Sequence, residues 1–133
     1  MNRLELVGVG NGIERARSVA SALGGRLLCD ERDGSHHLPF RALVSAVTDD
    51  VETLLSAADV GAYVVCRRVM KPRNEAESKG KLKGAIGLFT MVHHPDLTHR
   101  QADDHWRDNH TPLAFLHHPL MTHYAQLGVV HRI

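Results

Sequence analysis

The short connection between two apolar runs, Arg26-Leu27-Leu28-Cys29 and Phe40 to Val47, most constrains this fold. Both runs read as strands, and the turn-forming pair Asp33-Gly34 lies between them. A parallel neighbour in the same sheet needs a crossover of a dozen or more residues, usually a helix, and there is no room for one here. The two strands must therefore run antiparallel. Before them, Leu4 to Val9 is a strand. Ile13, Ala16, Val19, Ala20 and Leu23 then recur at helical spacing, and Gly24-Gly25 ends the helix. After them, Asp49 or Asp50 can cap a short helix from Val51 to Ala58 by accepting orphan backbone N–H bonds, and Ala62 to Cys66 closes the series.

Strand, helix, strand, strand, helix, strand is the ferredoxin-like arrangement, an antiparallel sheet with two helices on one face. The same order argues against a nucleotide site at Gly8-Val9-Gly10-Asn11-Gly12, although Asp30 follows at a suggestive distance. The third glycine is misplaced for G-x-G-x-x-G, and that fold needs parallel strands. These glycines read as turn formers.

Of the 133 residues, 43% are hydrophobic and 23% charged, which suits a packed domain rather than a disordered chain. A net charge of +1, with no basic stripe, argues against nucleic acid as a partner. No apolar run approaches the roughly 18 residues that span a bilayer, and Glu5 interrupts the start where a signal peptide would be apolar. With only Cys29 and Cys66, both in strand-like runs, the reading is two buried thiols in a reducing cytoplasm.

Residues 71–83 are charged and lack apolar periodicity, so they read as a linker or long surface loop between a segment 1–70 and a second segment 84–133. In the second, Ala85 to Val92 is a strongly apolar strand ended by Pro95. Thr98 and Gln101 fit a capping box, and the helix they open should run from His99 to about Asn109 and past Pro112 with a bend. Ala102, Trp106, His110 and Leu113 fall on one face of it, and His123 to Val130 is another strand. This second unit has its first strand, helix and second strand only. An open edge and a bare apolar face are costly in water. Either the natural chain continues, or another subunit supplies the missing half, or both segments share one sheet.

The run Phe89 to Thr98, then Asp104-His105-Trp106-Arg107-Asp108-Asn109-His110-Thr111-Pro112-Leu113-Ala114, then Tyr124-Ala125-Gln126, resembles the EthD family. Its most specific element is His-Trp-x-x-x-His-x-Pro-Leu. Ala102 departs from the pattern, since the family has a Phe one helical turn before the aromatic. The resemblance covers residues 84–133 and implies a dimeric or tandem pseudo-dimeric α+β barrel enclosing a small apolar ligand. Residues 1–70 would then be a divergent partner unit.

Within that frame His110 is the candidate catalytic acid/base, because imidazole titrates near neutrality and can move a proton both ways. Tyr124 or His105 would assist by polarising a carbonyl. Trp106, Leu113, Phe89 and Met91 are candidate ligand contacts. The competing readings are plain ones: a structural histidine, a surface or interface His105, a core Trp106 and a satisfied core tyrosine. Nine of the eleven histidines lie between His93 and His131, but no ligand pair occupies one helix face, so no metal is expected. The expectation is a cofactor-free lyase, cyclase, dehydratase or oxidoreductase, acting as a homodimer on a small apolar carbonyl-bearing or aromatic compound. The alternative is a non-catalytic accessory protein that binds a hydrophobic metabolite. A purely structural oligomerisation unit would have no cavity at all.

Overall fold

The computed structural model describes residues 2–32, 39–73, 80–82 and 84–133. In chain order the elements are β1 (Asn2–Gly10), α1 (Ile13–Leu23), β2 (Arg26–Cys29), β3 (Ala42–Ala46), α2 (Val51–Leu55), β4 (Gly61–Lys71), α3 (His99–His105), a π-helical turn (Trp106–His110), α4 (Thr111–His117) and β5 (Tyr124–Arg132). This is a mixed α/β fold around one five-stranded sheet, ordered β2-β3-β1-β4-β5.

The short connection does what its length requires. β2 and β3 are antiparallel, with Leu28 opposite Leu43, and β1 lies antiparallel to both β3 and β4. The Asp33-Gly34 turn itself falls outside the described residues. Contacts divide the chain into one compact unit of residues 1–68 with 126–133, and another of residues 69–125.

In the first unit the strands' period of two selects one face for α1 and α2. Leu6 of β1, Ala42 and Val44 of β3, and Ala62 of β4 pack with Ala16, Val19 and Ala20 of α1 and with Leu54 and Ala57. Gly24 ends α1 in the left-handed region (φ 60°), and its N–H reaches the Ala20 and Ser21 carbonyls. A residue with a Cβ is disfavoured in that conformation, which is why the helix stops at the double glycine. Asp50 caps α2 by accepting from Thr53 N–H, and hydrogen bonding from the Thr53 side chain and then from this N–H lowers its carboxyl pKa. At Gly10 a Cβ would run into the Ala57 carbonyl and the Asp59 carboxylate, and Asn11 N–H donates to that same carboxylate (3.1 Å). The glycine-rich turn thus serves close packing against the β4 approach.

β5 joins this sheet at the free side of β4, so the two segments share one sheet. Its antiparallel direction follows from two links. Ile133 N–H donates to the Ala62 carbonyl (2.9 Å), and Gln126 meets Arg68 six residues further along β4. Arg68 and Gln126 are both buried, and the guanidinium donates through Nε (3.1 Å) and Nη2 (2.7 Å) to Gln126 Oε1.

The expected strand Ala85 to Val92 does not form. Residues 85–94 carry no ladder, and Phe89 is 83% and Val92 93% exposed. Strand propensity describes a fit to a neighbouring strand, and no neighbour meets this run among the described residues.

Candidate functional site

Most sequence candidates lie in the second unit. Thr98 opens α3 with a full capping box: its hydroxyl accepts from Gln101 N–H (3.1 Å), and the Gln101 amide oxygen accepts from Thr98 N–H (2.9 Å). The helix then widens. Pro112 has no N–H to offer the carbonyl four residues back, and its ring would crowd that carbonyl. The strain is taken up just before it, in the π-helical turn Trp106–His110, where Thr111 Oγ1 donates to the Trp106 carbonyl (3.2 Å).

That turn shifts the helix phase by one residue. The spacing Ala102, Trp106, His110, Leu113 assumes a uniform α-helix, which would keep all four on one face. Instead Trp106 is half-buried, Thr111 and Ala114 are buried, and His110 and Leu113 are exposed. The His110 side chain has no hydrogen-bond partner among the described residues. His105 is exposed too, with its Nδ1 3.1 Å from the Asn109 side-chain nitrogen. Arg107 bridges Asp104 (2.9 Å) and Asp108 (3.0 Å), and hydrogen bonds to Asp108 and then Asp104 raise its pKa.

Tyr124, half-buried at the start of β5, meets Phe115 of α4 edge-on, ring centroids 6.1 Å apart and planes at 74°. Phe89 and Met91 lie exposed on the run that lacks a ladder. None of His110, Tyr124 and His105 lines the groove at the end of α4.

The concavity nearby is a groove of about 320 Å³ lined by Met70, Lys71, Pro72, Phe115, His118 and Pro119. Lys71 is anchored at its rim, where Nζ donates to the Met121 carbonyl (2.6 Å). None of these six residues is a sequence candidate. They come from the end of β4 and the end of α4, and only the Pro119 break after His117-His118 hinted at a helix end there. The groove joins apolar walls to two groups able to carry positive charge. Among the histidine contacts in this unit, the His93 and His99 rings sit edge-on at 6.1 Å, and His94 Nδ1 lies 3.7 Å from Asp96. Among the described residues no set of three or more His, Cys, Asp or Glu gathers around a point where a metal could sit. Both cysteines are free and half-buried, and no helix among the described residues is long and apolar enough to cross a membrane.

No protein-family model, no curated protein and no solved structure matches the chain.

Proposed function

We propose that the chain is an EthD-like unit of the ferredoxin-like α+β barrel kind, which binds a small apolar compound bearing a carbonyl or aromatic group. In this reading His110 transfers a proton without a cofactor, and a second copy completes the barrel wall. The strand order β2-β3-β1-β4 supports the ferredoxin-like reading. The observation that carries the functional reading is the state of His110. Its imidazole is exposed and uncommitted to any described partner, at the end of a π-helical turn beside Trp106 and Leu113. Wide turns of this type cost helix hydrogen bonding and recur at functional sites. A neutral imidazole next to a substrate carbonyl can take up an α-proton and return it, which serves enolisation, dehydration and cyclisation alike. Phe89, Met91 and Leu113 supply exposed apolar contacts for the ligand's body.

A second reading is a non-catalytic accessory protein, and the absence of His110, Tyr124 and His105 from the lining of the groove beside α4 favours it. One experiment decides between the two. Trp106 is the single tryptophan, so its fluorescence reports on this helix alone. The chain is titrated with a panel of aromatic ketones and β-dicarbonyl compounds, and turnover of each is followed. The enzyme reading expects saturable quenching and a turnover that His110→Ala lowers by about 10²–10⁴-fold with binding retained. Saturable quenching without turnover makes the protein a carrier. A panel that leaves Trp106 unaffected sinks both.

A further inference from the structure

The sheet face turned away from α1 and α2 carries a charged cluster with no place in the reading above. Period two puts Arg3, Glu5 and Val7 of β1 on that face, with Arg67 opposite Arg3 in β4 and Arg26 reaching over from β2. The Glu5 side chain is 0% exposed, yet Oε1 accepts from Arg3 Nη2 (2.7 Å) and from Arg26 Nη1 (3.0 Å), with Arg67 Nε at 4.0 Å. A buried carboxylate is tolerable only when it is paired in this way. Burial pushes its pKa up, and the hydrogen bonds from Arg3 and Arg26 with the charges of Arg26 and Arg67 push it further down, for a net lowering.

The stoichiometry is uneven. Arg3 and Arg26 each keep about half of their side chains in solvent, and one carboxylate serves both. Because both guanidinium groups bond the same oxygen, their nitrogens lie closer together than the two bond lengths added. Arg3 spends Nε and Nη2 on Glu5. Among the described residues Arg26 spends only Nη1, on both carboxylate oxygens. That leaves the Nε–H and Nη2–H edge of Arg26, a fork whose spacing matches two oxygens of a carboxylate or phosphate. Glu5 holds this fork in position, so a ligand need not bear the full entropy of ordering it.

The geometry points to an oxyanion-binding site at Arg26 and Arg3, in which a compact carboxylate or phosphate group of a small molecule takes the free edge of Arg26 while Arg3 supplies the second positive charge. The site belongs to the sheet alone. It stands or falls independently of His110.

The test uses the full chain with inorganic phosphate and with benzoate, at constant ionic strength set by chloride. Binding is followed by calorimetry and by the Nε–H resonances of the arginines. Saturable binding that moves the Arg26 Nε–H resonance is expected, weakening as chloride is raised. Binding of phosphate alone, or of benzoate alone, identifies which oxyanion the site takes. Arg26→Lys keeps the charge and a partner for Glu5 but removes the fork, and is expected to weaken binding at least tenfold while the chain stays folded. Arg3→Gln is the second variant, with a smaller loss expected. Absence of saturable binding by either anion overturns the proposal, as does binding that Arg26→Lys leaves unchanged.

Discussion

Gln126→Ala tests what holds β5 in the sheet. Arg68 and Gln126 are both buried, and the guanidinium places two N–H groups on one amide oxygen, at 3.1 and 2.7 Å. A hydrogen bond to a charged group contributes about 1.5–3 kcal/mol net, and two donors sharing one oxygen count as little more than one such bond. Removing the acceptor also takes both of these bonds from a buried cation. Loss of one partner from a fully buried pair costs about 3–5 kcal/mol. β5 is an edge strand with Val129 and Val130 exposed, so water can reach the gap and relieve part of that cost. The expected destabilisation is about 2–4 kcal/mol, between these limits, or a fall in Tm of roughly 8–15 °C for a chain of this size. Urea denaturation followed by circular dichroism measures the first quantity. Hydrogen exchange of the β5 amides shows where the loss falls, and protection should drop in β5 before β1 or β3. Gln126→Glu, which offers the guanidinium a carboxylate of the same shape, should retain most of the stability. A loss below about 1 kcal/mol, with β5 exchange unchanged, would refute the argument that this pair fastens the strand.

Three further expectations follow from the same structure. Leu54 is fully buried over β1, where a Cβ on Gly8 would already touch it at 3.3 Å, so Leu54→Ala should cost about 3 kcal/mol by denaturation, and Leu54→Met under about 1.5. Glu5 has a folded pKa below its ordinary value near 4.5, so its contribution is complete above that pH and is lost as the pH falls through the lower folded value. The unfolding free energy of the natural sequence should therefore drop more steeply with acid than that of Glu5→Gln, and parallel curves would contradict the pairing. Thr98→Ala removes one half of the capping box and should lower the stability of α3 by about 1 kcal/mol, seen as faster exchange at Gln101 and Ala102.

The first segment was legible because its connections are short. The antiparallel β2–β3 pair follows from chain length alone, and α1 begins and ends where its apolar spacing and the double glycine say. β4 runs to Lys71, past the Cys66 at which its apolar run stops. Arg67 and Arg68 look like the polar end of a strand, and only the folded chain sets Glu5 and Gln126 beside them. Ala85 to Val92 fails for the converse reason: its composition suits a strand, but composition does not supply a neighbour. The helix of the second segment was found, with its cap, while the direction of His110 was not. Pro112 announced a bend, but periodicity counted at 3.6 residues per turn has no means of adding the extra residue that the bend consumes. The groove was invisible for a simpler reason, since Lys71 and His118 are far apart in the chain.

The π-helical turn also bears on how this chain should be aligned with others. A helix that has such a turn holds one residue more than an unbroken α-helix joining the same two ends. A chain lacking one residue between Trp106 and Thr111 could keep both ends packed as they are here. A related sequence without the turn would need a gap at this point, and beyond it every position would correspond in space to the neighbour of its match in letters. Thr111, not His110, then occupies the place that a histidine four residues after the tryptophan would take in an uninterrupted helix. Roles carried from such an unbroken helix to residues 110–117 by matching letters would fall one residue out of step.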